Sequence, residues 1–218
     1  MRTRETRKCH LQVEPLEGRF ALGGGGAVLP PTATPHGFSL TDMSRETALF
    51  NTSNNDKAKL PNTPFQVLYF DPTTVRATPP PDVVETGSNK FPVSPGTLFY
   101  VPLLTVDDSP PIIGTFPTTA SDAASYTFSP KQVGVRGTEI IVDGKSTPIG
   151  AAYVVGPVQT PLGDGGTHII TLGAFLSPMS VGTHTVEIKG EAAGQAFQQA
   201  NPGIKSLSFD FTYMVQVG

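Results

Sequence analysis

At 218 residues, with a formal net charge of -3 and a pI near 5.8, the chain lacks the concentrated basic surface that nucleic-acid binders carry. An apolar share of 38%, a mean hydropathy of -0.07 and no run of about 18 uninterrupted apolar residues exclude a membrane-spanning helix. Glycine (23) and proline (22) make up about a fifth of the chain, which divides it into short strands rather than long helices and leaves length for one β core.

Residues 1–26 start basic, with Arg2, Arg4, Arg7 and Lys8 ahead of Glu14 and Glu17. Those two acids and Pro15 interrupt the apolar stretch of an ordinary secretory signal, so physics alone reads a weak export leader. Cys9 is the only cysteine, which excludes an intrachain disulfide, and Thr6-Arg7-Lys8 before it is the wrong chemistry for a lipoprotein anchor. The run Leu11-Gln12-Val13-Glu14-Pro15-Leu16-Glu17-Gly18-Arg19-Phe20-Ala21-Leu22 resembles the LEPR-XLL motif that opens many exported planctomycete proteins. Val13 stands where that motif usually has leucine, and the resemblance implies export or surface attachment without specifying a chemistry.

Residues 27–60 are rich in Pro, Gly and Thr, then polar, and read as a flexible linker. Within them, residues 40–50 hold Met43, Ala48, Leu49 and Phe50, which fit either a short helix capped by Thr41 or Asp42 or a strand completing the sheet.

A β domain is expected over residues 61–218. Strands are predicted at 65–70, ended by Asp71-Pro72, and at 97–106, where the unbroken apolar run Leu98-Phe99-Tyr100-Val101 implies burial on both faces and Pro102 demands an edge or a bulge. A helical turn is expected at 120–125. Strand 138–142 runs into Asp143-Gly144, the strongest hairpin signal in the chain, with its return delayed by Pro148. Further strands are expected at 151–155, 167–172 and 183–189.

From Leu207 to Val217 every odd position is large and apolar, a period of two that predicts a terminal strand with one face in the core. With no helix long enough for a crossover, the fold class is all-β, an antiparallel β-sandwich of jelly-roll or Ig-like type completed by that last strand.

From about residue 90 onward the chain also resembles a family of uncharacterised bacterial secreted β-sandwich domains. The resemblance rests on Gly96-Thr97-Leu98-Phe99-Tyr100-Val101-Pro102-Leu103, on Ile140-Ile141-Val142-Asp143-Gly144 before Pro148, on Leu176-Ser177-Pro178 with Gly182-Thr183-His184-Thr185-Val186, and on the last strand. It implies an extracellular β-sandwich and brings no catalytic residues.

Candidate chemistry is dispersed. His184 and His168 fall on inward faces, where each is read as a structural histidine satisfied by hydrogen bonds. Their pairing around a metal would require neighbouring strands and a third ligand. Asp107 and Asp108 with Asp164 or Asp122 form a candidate calcium set against the simpler reading of solvated turns, since calcium needs six to eight oxygens and no spaced acidic series exists. Gly163-Asp164-Gly165-Gly166 lacks the Lys-Ser/Thr and helix of a phosphate loop. No serine sits in a nucleophile elbow. Glu139, Glu187 and Asp210 are expected outward.

Tyr69, Tyr100, Tyr126 and Tyr153 are the candidates for a sugar-binding platform, while Tyr213 is expected in the core. The leading expectation is a non-enzymatic extracytoplasmic or cell-surface domain with a structural or interaction role. Its partner would be a cell-envelope component, a protein or a polysaccharide, and it carries no cofactor unless calcium binds. A carbohydrate-binding module is the alternative, and a hydrolase or lyase with dispersed acidic residues the further one.

Overall fold

The computed structural model describes residues 27–162 and 165–218. The leader, Cys9, the LEPR-XLL-like segment and Asp164 lie outside the described residues.

The chain is mostly β, in two mixed sheets. It runs α1 (Leu40–Asn51), β1 (Phe65–Val67), β2 (Arg76–Ala77), β3 (Asp82–Val93), β4 (Leu98–Asp107), α2 (Ala120–Phe128), β5 (Val135–Val142), β6 (Lys145–Pro148), β7 (Val154–Gln159), β8 (His168–Leu176), β9 (Gly182–Ala192), α3 (Gln195–Ala200) and β10 (Ser206–Val217). One sheet has four strands in the order β1-β4-β8-β7, the other six in the order β2-β3-β10-β9-β5-β6.

The expectation of purely antiparallel pairing is corrected at two places, because β1 runs parallel to β4 and β3 parallel to β10. A parallel pair needs a long connection between its strands, usually but not necessarily a helix. Here β2 and β3 of the six-stranded sheet supply the passage from β1 to β4, and almost the whole domain separates β3 from β10.

β10 obeys its period of two: Phe209, Phe211, Tyr213, Val215 and Val217 are buried, and Thr212, Met214 and Gln216 are exposed. Instead of lying at a sheet edge it is central, antiparallel to β9 and parallel to β3. β3 is a strand for which the sequence gives little warning, since its Asp, Glu, Gly, Ser, Asn, Lys and Pro residues are poor strand formers. All twelve of its residues nevertheless register on β10, whose backbone donors and acceptors have to be paired on that side.

β4 confirms the two-faced reading of 98–101. Phe99 and Val101 join the main core with Ile170, Leu172, Ile140, Val186, Ile188 and the β10 aromatics, a cluster drawn from both sheets. Tyr100 points the other way, into a second cluster with Phe65, Val67 and Phe175. The register of β4 on β8 shifts between Pro102 and Leu104, so Pro102 sits at a bulge.

That second cluster overturns the linker reading of 27–60. Leu29, Leu40, Met43 and Phe50 are buried in it, covering the outer face of the four-stranded sheet. Each such side chain contributes about 1.5–3 kcal/mol when fully buried, so this segment belongs to the packed body. α1 shows the helical spacing of its buried face at Leu40, Met43, Ser44, Thr47 and Ala48. Its cap is Ser39 rather than Thr41 or Asp42, with Asp42 completing a reciprocal capping box.

The Asp143-Gly144 hairpin returns without delay. Val142 pairs with Lys145 and Glu139 with Pro148, and the two turn residues take φ values of 50° and 80°, the left-handed pair that a two-residue turn requires. Residues 151–153 form a helical turn instead of a strand, which shifts the expected strand to β7.

Candidate functional site

The two histidines do not meet, being on different sheets, and each has its own carboxylate. His168, at the start of β8, has Nδ1 3.0 Å from Asp108 Oδ2 and 2.9 Å from the Thr167 hydroxyl. The backbone N–H groups of Thr167 and His168 both donate to Asp108 Oδ1, at 2.6 and 2.9 Å. Burial pushes the Asp108 carboxyl upward, but these N–H donors and the two side chains outweigh it and hold the group at about 2. Asp107, the last residue of β4, accepts from the Ser109 N–H at 2.8 Å. Asp122 accepts from the Thr119 hydroxyl at the start of α2. Among the described residues no three His, Cys, Asp or Glu side chains gather into a metal-binding group, so the metal set of His168, His184, Asp107 and Asp108 is not assembled.

His184 on β9 is buried, with Nδ1 2.6 Å from Asp143 Oδ2 in the β5-β6 turn. Its Nε2 lies 3.3 Å from the Ser180 hydroxyl, an Asp-His-Ser sequence of contacts superficially like that of a serine hydrolase. Nε2 is closer, however, to the Ser180 carbonyl oxygen, at 2.9 Å. With an acceptor at each ring nitrogen the arrangement favours the imidazolium, which donates to both. The hydrogen bond to Asp143 raises His184 against the opposing effect of burial, and the Ser180 carbonyl adds to it. With Nε2 turned to the Ser180 carbonyl, the ring is not placed to take a proton from the Ser180 hydroxyl, so the constellation acts as a latch between two turns. The Thr185 N–H extends it by donating to Asp143 Oδ1 at 2.9 Å.

The tyrosines form no shared exposed platform. Tyr100 and Tyr126 are buried, and the Tyr126 hydroxyl donates to the Ile113 carbonyl at 2.7 Å. Tyr153 is half-buried and donates to the Leu29 carbonyl at 3.0 Å. Tyr69 is half-buried between Phe50 and Phe91, at centroid distances of 5.0 and 5.4 Å. Tyr213 is in the core as expected. Burial raises Tyr100, Tyr126 and Tyr153 above the usual phenol range. The outward acids solvate the six-stranded sheet, with Lys189 bridging Glu187 at 3.1 Å and Asp210 at 3.6 Å.

A site that the sequence did not announce lies between the sheets, a cavity of about 220 Å³. Asn51 at the end of α1, Asn54 and Asn55 just after it, the β4 bulge and the aromatics of β10 line it, with Tyr69, Phe70 and Glu85. Phe70 stacks on Phe211 at 4.6 Å, and Phe211 on Phe209 at 6.2 Å. Asn55 fixes the lip by donating to the Phe70 carbonyl at 3.2 Å.

Glu85 occupies an inward position of β3, directly opposite Phe209 in the β3-β10 register. It is the one charged residue lining the cavity, its carboxylate has no hydrogen bond or ion pair among the described residues, and desolvation raises its pKa. The signal was present in sequence only as an acid in phase with Val83 and Phe91, visible once β3 is known to be a strand. A neighbouring depression of about 370 Å³ continues past Leu104, Thr105 and Leu207 to Asp107 and Asn201.

These features define a mostly β domain of two mixed sheets with an aromatic-lined cavity between them. In comparisons with known proteins, no family model, no curated protein and no solved structure matches this chain.

Proposed function

We propose that the chain is a non-enzymatic extracytoplasmic or cell-surface domain with an interaction role, its two sheets facing each other as the layers of a sandwich. The observation that carries the reading is the use made of the histidines. Both are spent on turn-holding carboxylates, while the cavity between the sheets offers an unpartnered polar group among aromatic rings. Support for the sandwich comes from the main core, which takes inward side chains from both sheets.

The address rests on the basic start and the LEPR-XLL-like segment, and the partner would be a protein or another cell-envelope component. No helix among the described residues is long and apolar enough to cross a membrane. Immunoblotting of fractionated native cells tests the reading. Recovery from the envelope or medium is expected, and recovery from the cytosol alone would overturn it.

A further inference from the structure

We infer that the cavity between the sheets is a binding site for an organic cation, an ammonium or guanidinium group on an apolar stem, held by Glu85 with Phe70, Phe209 and Phe211. The occupant is set by charge complementarity. Glu85 is the cavity's one charged side chain and has no cationic partner among the described residues. The Lys and Arg residues that pair with acids elsewhere do so at Asp42, Asp71, Glu187, Glu191 and Asp210.

Glu85 is half-buried, so its carboxylate is only partly hydrated, and a cation bound beside it would offset the lost hydration. Its place opposite Phe209, with no cationic partner among the described residues, points to a ligand that supplies the opposite charge. Phe70, Phe209 and Phe211 line the cavity, and aromatic rings attract cations most strongly where water is thinned. Phe209, opposite Glu85 in the strand register, continues into the stacked pair Phe211 and Phe70, so a bound cation would meet a charge and an aromatic surface together.

The volume suits one extended side-chain-sized group. Asn54, exposed at the lip, and Asn51 offer amide oxygens to the remaining N–H donors of such a group. An anion is disfavoured by Glu85, and a neutral sugar would leave the carboxylate's charge uncompensated.

The assignment deepens the interaction role proposed above and names the chemistry of its ligand. The full chain is titrated with n-butylammonium, with n-butanol as the neutral isostere and butyrate as the anion, and followed by amide chemical shifts. Saturable shifts centred on Asn55, Phe70, Glu85 and Phe211 are expected for the ammonium alone. Glu85→Gln should weaken binding at least five-fold while melting cooperatively at the same or a higher temperature, since it removes a desolvated charge.

Equal binding of butanol, unchanged affinity in Glu85→Gln, or shifts confined to the outer acids Glu187 and Asp210 would overturn the assignment. Acetyl-lysine amide and a capped Gly-Lys-Gly peptide then separate the sources. Tighter binding of the peptide indicates a basic side chain of a partner, and equal binding a free amine. Loss of the cation response in a protein recovered from the envelope removes the ligand and leaves the address intact, whereas a cytosolic protein that still binds the cation removes the address alone.

Discussion

The His184-Asp143 latch gives a coupling whose pH dependence has a defined sign. A double-mutant cycle pairs His184→Gln with Asp143→Asn, the second chosen because asparagine tolerates the left-handed φ of 50° at this turn. A hydrogen bond between charged groups contributes roughly 1.5–3 kcal/mol. The Asp143 side chain is 41% exposed and solvent screens it, so the lower end applies, about 1.5 kcal/mol. For a chain of this length that corresponds to a fall in Tm of roughly 3–6 °C in either single variant.

His184 is raised above its ordinary 6.5 in the folded state. Its contribution is therefore fully present below that value and is lost as pH rises through the folded pKa. Asp143 is lowered, because hydrogen bonds from His184 and the Thr185 N–H outweigh the upward effect of burial. Its contribution is present above its ordinary 3.8 and is lost as pH falls through the lowered value. Coupling measured by urea denaturation should thus be greatest between those two ordinary values, at about pH 5.5, and be smaller at an alkaline pH above the raised folded pKa of His184, where the neutral ring keeps only one N–H donor. Equal coupling at both pH values, or a coupling under about 0.3 kcal/mol at the lower one, would refute the latch.

Three further outcomes are expected. Ser39→Ala removes one half of the capping box and should cost about 1 kcal/mol, seen as a lower urea midpoint with an unchanged slope. Gly173→Ala places a methyl 2.7 Å from the Tyr100 hydroxyl oxygen and should cost about 1–3 kcal/mol. The hydroxyl points toward Thr47 but reaches no hydrogen-bonding geometry, so Tyr100→Phe should be close to neutral and should shrink the Gly173→Ala cost in the double variant. Asp108→Asn should cost about 1 kcal/mol at neutral pH, after solvent screening is allowed for. Because Asp108 is lowered from 3.8 to about 2, that cost should be constant above the first value and vanish as pH falls through the second in acid denaturation.

Much of the fold was legible because side-chain periodicity is local. The odd-numbered aromatics of 207–217, the two-faced run 98–101, the bulge at Pro102 and the Asp143-Gly144 turn each follow from alternation or from a backbone preference of the residues themselves. The inward position of His184 and the outward acids followed from the same rule. The candidate site was not legible. Glu85 sits in a segment whose composition argues against a strand, and it becomes an inward residue only because β10 imposes register on it.

Sequence alone thus determined which faces of the strongest strands are apolar and where the tight turn falls, since these depend on neighbours within a few residues. The tertiary structure decided what covers those faces: α1 and Leu29 over the outer face of the four-stranded sheet, and β3 beside β10 in parallel. Both choices satisfy long-range demands, an uncovered apolar face and an unpaired strand edge, which no local pattern in the covering segments records.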